Sequence, residues 1–119
     1  MDIVFFIGKV LFGGYFVYNG VSHLTNLKAS TGYAISKGVP MAKFGVIISG
    51  LMIILGGGSV LANFHMKLGL ILIGVFLVVI TFMMHQFWKE KDLMGKMTEK
   101  IQFTKNLALL GATLMFLGM

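Results

Sequence analysis

The sequence predicts an all-α membrane protein: four transmembrane helices in an antiparallel bundle, with short interfacial helices in the two longer loops. Three observations predict it. Hydrophobic residues fill 57% of the 119 positions and charged residues only 12%. A soluble domain carries about 25% charged residues, so this chain cannot cover a globule with polar surface and the bilayer is its expected solvent. The apolar residues fall in four continuous runs, each close to the roughly 20 residues that a crossing helix needs. The runs are not alternating, and four strands could not close a barrel.

The chain reads as a single domain, 1–119. Span one covers about 3–21 and is interrupted by Lys9 and by the polar group Tyr15, Tyr18 and Asn19. The N-terminal Met-Asp-Ile lacks a basic n-region, so this run is expected to stay as a span. Span two covers about 41–62 and follows Pro40, placed where proline's fixed φ and missing donor cost least. Span three covers about 68–88 and span four about 102–119. A tight turn at 63–67 joins spans two and three, whereas longer polar loops at 23–39 and 89–101 make the other two connections.

Both long loops have readable local structure. Ser30 or Thr31 is the expected N-cap of a short helix through Lys37. Gly38 suits the left-handed stop, with Pro40 after it. In the second loop, Leu93, Met97 and Ile101 are four apart and share a helix face, with Lys89, Lys91, Lys96 and Lys100 on the polar side. This predicts another short helix in the headgroup layer.

Charge sets the expected orientation. The net charge is +6, from ten Lys, no Arg and four acids. The lysines lie mostly between apolar runs, so anionic lipid, not nucleic acid, is the expected partner. The long-loop face holds Lys28, Lys37, Lys43, Lys89, Lys91, Lys96, Lys100 and Lys105, against Lys9 and Lys67 on the other. Positive-inside bias puts the long loops in the cytoplasm and both termini outside. The absence of cysteine excludes disulfides, thiol redox chemistry and thiolate metal sites within this chain.

Alternating spans bring most of the chemically capable residues to that same face. Asn19 and His23 are four apart on the inner end of span one, one turn beyond Tyr15. Lys37 precedes span two. His85 and Trp88 are three apart at the end of span three, so they are expected to share a helix face. Lys105 and Asn106 open span four. A lysine there opposes the helix dipole, so Lys105 is expected to anchor topology, contact an anion, or meet Glu90, Asp92 or Glu99. Lys9 is the expected buried charge, within reach of snorkelling to water. Gly45 with Ser49, and Ala108 with Ala112, are small-xxx-small pairs expected to bring helices close. The three histidines lack metal-ligand spacing, so no metal is expected. Neither a Ser-His-Asp set nor paired catalytic carboxylates can be found, and the chain is not expected to be an enzyme on its own.

Four blocks resemble the DoxX family of small four-helix bacterial membrane proteins. They are Asn19-Gly20-Val21-Ser22-His23, Lys37-Gly38-Val39-Pro40, His85-Gln86-Phe87-Trp88, and the stretch from Phe103 through Lys105 and Asn106 to Gly111. The resemblance implies a four-helix bundle in the bacterial cytoplasmic membrane. It also implies a link to a thiosulfate:quinone oxidoreductase or to oxidative and thiol stress, although relatives with redox roles carry cysteines and this chain does not. The resulting expectation is a redox-linked or stress-related subunit that contacts quinone or a partner oxidoreductase, with no required cofactor. The alternatives are a non-enzymatic lipid-binding, assembly or membrane-integrity factor, and a small-solute transporter acting as a homo-oligomer.

Overall fold

A computed structural model of the chain describes residues 2–119. Five α-helices follow in order: α1 (Asp2–Thr25), α2 (Leu27–Ser36), α3 (Ala42–Ala62), α4 (Met66–Met84) and α5 (Leu93–Leu117). A 3-10 turn at Phe87–Lys89 separates α4 from α5. Among the described residues, three stretches are long and apolar enough to cross a membrane: Asp2–Thr25, Ala42–Ala62 and Met66–Lys89. At about 1.5 Å per residue, α3 alone approaches the roughly 30 Å of a hydrocarbon core. Its outward residues, such as Phe44 and Leu55, are apolar and exposed, as lipid contact requires. α5 is just as long but does not join this group, because its first half carries Lys96, Glu99, Lys100 and Lys105.

Glycine sets how closely the helices approach. A Cβ on Gly57 would lie 2.6 Å from the Gly13 carbonyl oxygen, and one on Gly20 would lie 2.7 Å from that of Gly50. The contacts climb along α1 as they descend along α3. Gly56 and Gly69 make the same approach between α3 and α4, where a Cβ on either would sit 2.8 Å from the other's carbonyl oxygen. Gly45 has no neighbour within reach and Ala108 is exposed. The close approaches therefore belong to other small residues than the expected pairs, because spacing alone does not say which helix face meets a neighbour.

Around these contacts, Phe16, Ile53, Val60, Leu70, Ile73, Phe76 and Leu77 form the main core. A smaller cluster of Ala34, Ala42 and Val46 fixes α2 on α3, with Leu27, Val39 and Met84 packed against it.

The loops differ from expectation in two places. α2 starts at Leu27, not after Ser30 or Thr31, because α1 continues almost unbroken past Asn26. The Asn26 amide reaches the Ser22 carbonyl and its own carbonyl accepts from Ser30, both at 2.9 Å. Backbone bonding has thus removed the need for a cap at Ser30. The second loop, unlike the first, forms no short helix of its own at 93–101. From Leu93 onward it is the first part of α5, and Leu93, Met94, Met97 and Ile101 stay exposed along it. Gly38 is left-handed as expected, at φ 77°.

Candidate functional site

Two groups of polar side chains meet at the long-loop end. The first surrounds Glu99, which α5 turns inward until only 4% of the residue is exposed. The Lys37 Nζ lies 2.5 Å from Glu99 Oε2 and 3.3 Å from Glu90 Oε2. The Tyr33 hydroxyl donates to Oε2 at 2.6 Å. His85 Nδ1 lies 2.8 Å from Oε1. A carboxylate with this many donors is ionised, and a charged acceptor can only accept, so Nδ1 carries the ring proton.

Local sequence explains how each partner arrives. Gly38 stops α2 and leaves Lys37 at its end, pointing across to α5. α4 ends at Met84 and the backbone turns away at His85, with φ −111°. Gln86 then donates its side-chain amide to the Phe82 carbonyl at 2.6 Å. His85 and Trp88 therefore do not share a helix face, because no helix joins them. His85 goes inward to Glu99, whereas Trp88 packs against Phe87 and Phe103 and is half exposed.

The charges adjust to one another. Burial alone would push Glu99 up. Hydrogen bonds from Lys37, Tyr33 and His85, with the Lys37 charge, outweigh it and hold the carboxyl below its ordinary range. Burial would likewise lower Lys37, but hydrogen bonds to Glu99 and Glu90 and their charges keep it above the usual lysine value. Burial pushes the Tyr33 phenol up, and its hydrogen bond to Glu99 and the Glu99 and Glu90 charges add to the rise.

The second group lines a cavity of about 600 Å³ between the helices. Asn19, His23, His85, Lys105 and Asn106 all reach it. The remaining wall is mainly apolar, including Phe16, Val46, Met52, Phe76 and Ile80. Lys37 and Trp88, expected on the same face, are not part of the wall. Asn19 gives its amide to the Tyr15 carbonyl at 2.9 Å, and His23 Nδ1 meets the Asn19 carbonyl at 2.8 Å. Lys105 donates to the Tyr15 hydroxyl at 3.0 Å and to Gln102 Oε1 at 2.8 Å. It meets none of the expected acids, because Lys37 takes Glu90 and Glu99.

Asn106 and His85 stand apart. Each is more than nine-tenths buried. Among the described residues, the Asn106 amide has no hydrogen bond and His85 is bonded through Nδ1 alone. Neither is sealed in protein, since among the described residues the one fully enclosed unpaired side-chain atom is Thr31 Oγ1. Both open onto the cavity they line. Buried polar groups are almost always satisfied, so these two make a receptive polar end to an apolar chamber.

The DoxX family model matches residues 4–86. The chain belongs to the DoxX family. No curated protein and no solved structure matches it. The DoxX match covers α1 to α4 and reaches His85, but Lys105, Asn106 and Glu99 lie beyond it.

The remaining candidate, Lys9, is half-buried rather than enclosed and stacks over the Phe5 ring at 5.7 Å. It borders a small apolar groove with Val60, Met66 and Phe116. Among the described residues no cluster of His and acids is placed to hold a metal. Sequence reasoning passed over Tyr33 as a site residue and gave Glu99 no central place. The available signal was scarcity: with four acids in the chain, an acid set between Lys96 and Lys100 has a strong electrostatic choice of partner.

Proposed function

We propose that this DoxX protein is a membrane subunit that holds a lipophilic carrier of the quinone class for a redox-linked or stress-related partner oxidoreductase. The observation that carries this reading is the pair of largely buried polar side chains His85 and Asn106 lining a mainly apolar chamber, with the Asn106 amide and one ring nitrogen of His85 making no hydrogen bond among the described residues. A quinone brings an apolar body and tail for the chamber and carbonyl oxygens that accept from the Asn106 amide, and its reduced form carries hydroxyls that can donate to His85 Nε2. The volume of about 600 Å³ falls in the range of about 300–1,000 Å³ typical of small-molecule sites.

In this reading α5 is the fourth crossing of an antiparallel bundle in the bacterial cytoplasmic membrane. The basic long-loop face lies in the cytoplasm, and electrons pass between the carrier and the partner there. Exposed Leu93, Met94, Met97 and Ile101 on the lysine-rich start of α5 favour anionic lipid contact on the same side.

Gently extracted protein is expected to retain a quinone in its lipid extract and to bind a short-chain ubiquinone or menaquinone reversibly. Absence of both would reject the reading.

A further inference from the structure

Glu99 does more than close an ion pair. Its Oε2 is taken by Lys37 and Tyr33, while Oε1 holds His85 by Nδ1. The imidazole therefore has a fixed rotamer and a fixed tautomer. The nitrogen left over is Nε2, which makes no hydrogen bond among the described residues, and His85 lines the cavity. The side chains of the cluster also run from the surface inward: Glu90 is 29% exposed and Lys37 15%, whereas Glu99 and His85 are both nearly enclosed at 6% and 8%, with successive contacts of 3.3, 2.5 and 2.8 Å.

We propose that His85 is a proton-exchange group for an ionisable oxygen on the cavity's ligand, and that Glu99 is its positioning residue. The ligand class is a lipophilic molecule whose head carries an acidic hydroxyl. When such a ligand enters as its anion, a proton from solvent forms the Nε2–H bond and makes the ring an imidazolium. Its charge is balanced by the Glu99 carboxylate on one side and the ligand oxygen on the other. Transfer breaks Nε2–H, forms O–H on the ligand, and leaves the neutral ring still bonded through Nδ1–H to Glu99. The reverse steps take a proton from a bound hydroxyl. No electron moves in either direction, so the step needs no oxidant or reductant. This geometry is that of a base held in one tautomer by a buried carboxylate.

The groups around His85 set the field in which this occurs. Tyr33 and Lys37 approach from α2 and its end, Glu90 from the connection before α5, and Glu99 from α5 itself. His23 and Lys105 line the same cavity from α1 and α5. Lys105 is held there by neutral acceptors alone, which further favours an anionic head.

The inference rests on the cavity being a ligand site, and the test separates the two. Two probes are titrated calorimetrically: a short-chain ubiquinone, which has no acidic hydroxyl, and an alkylated 2-hydroxy-1,4-naphthoquinone, present as its anion at neutral pH. Binding enthalpies in buffers of different ionisation enthalpy give the protons taken up. Wild-type protein is expected to take up close to one proton with the anion and none with the neutral quinone. His85→Gln should lose the proton uptake that accompanies binding of the anion. Glu99→Gln, which keeps an acceptor for Nδ1–H without the charge, should reduce uptake, and Tyr33→Phe should leave most of it. Nitrogen-15 spectra of histidine-labelled protein should show His85 protonated at Nδ1, with an Nε2 resonance that moves with either probe. Unchanged proton uptake in His85→Gln, or a His85 ring protonated at Nε2 alone, overturns the proposal while leaving the cavity reading intact. Failure of both probes to bind removes the cavity reading and this one with it.

Discussion

The two ends of this molecule solve opposite problems with the same four long helices. Toward the 63–65 turn, glycine carbonyls are approached closely between α1 and α3 at Gly13 and Gly57 and between α3 and α4 at Gly56 and Gly69, and Ile53, Val60, Leu70 and Ile73 fill what remains. Toward the long loops the helices part around a cavity, and a buried carboxylate holds α2, α4 and α5 together by hydrogen bonds. Lipid tails are as apolar as leucine, so helices in a bilayer gain little from burying apolar side chains against one another. Close packing holds one end. At the other, a polar cluster fixes the walls and leaves the interior open.

That contrast can be broken most severely at the packed end. A leucine at Gly57 would drive side-chain atoms into the Gly13 carbonyl, where even a Cβ is too close. Overpacking typically costs about 1–3 kcal/mol and more where backbone must move, so Gly57→Leu is expected to abolish monodisperse folded protein. Gly58→Leu, one residue on but with open space around it, should elute and melt like wild type. Equal behaviour in size-exclusion chromatography would remove the distinction.

At the open end the largest effect is expected from Lys37. Its ammonium is the counter-charge of a nearly enclosed carboxylate, and removing one partner of a buried pair costs about 3–5 kcal/mol. Lys37→Ala should lower the melting temperature in mild detergent sharply. Lys37→Ala combined with Glu99→Gln should recover part of the loss, because the nearly enclosed side chain no longer carries a charge, and Glu90, the partner that remains charged, is the more exposed of the two. Tyr33→Phe, which removes one hydrogen bond to a charged group, should cost about 1.5–3 kcal/mol.

The same cluster sets a pH window. Glu99 has a lowered pKa in the fold, so its contribution is complete above the ordinary carboxylate value of about 4.3. It is lost as pH falls toward and through the folded value. Lys37 and Tyr33 are raised, so theirs is complete below about 10 and is lost as pH rises through their folded values. The contribution of these three groups to thermal stability should therefore be complete between about pH 5 and 9 and fall on both sides. Lys37→Ala should flatten the alkaline fall.

The smallest stability effect should come from the residue with the most to say about ligand. The Asn106 amide holds no bond that folding would lose, so Asn106→Leu should leave the melting temperature unchanged or raise it. Affinity for a short-chain quinone should fall at least about tenfold, equivalent to about 1.4 kcal/mol. A variant that melts far below wild type, or binds quinone equally well, would place Asn106 in the scaffold instead.

The legibility of these ends in the sequence was unequal for physical reasons. The apolar runs, the stop at Gly38 and the 63–65 turn could be read directly, because each depends on local chemistry. So could the gathering of Asn19, His23, His85, Lys105 and Asn106 at one end, which follows from alternating spans. The central place of Glu99 could not. It lies within a loop expected as a separate surface helix, and only the docking of α2 against α3 brings Lys37 and Tyr33 to it. The division of His85 from Trp88 depended on where α4 ends, and helix ends yield to tertiary contacts that periodicity does not contain.

By itself, then, the sequence determined the solvent, the helical segments and the end of the molecule where polar chemistry collects. Hydropathy, length and charge act residue by residue along the chain, so no neighbour in space is needed to read them. Only the tertiary structure decided which glycines touch, which lysine neutralises Glu99, and which polar atoms remain unpaired at the cavity. Those outcomes depend on distances between segments remote in sequence, fixed by how closely helix backbones approach and by where a buried charge finds its partner.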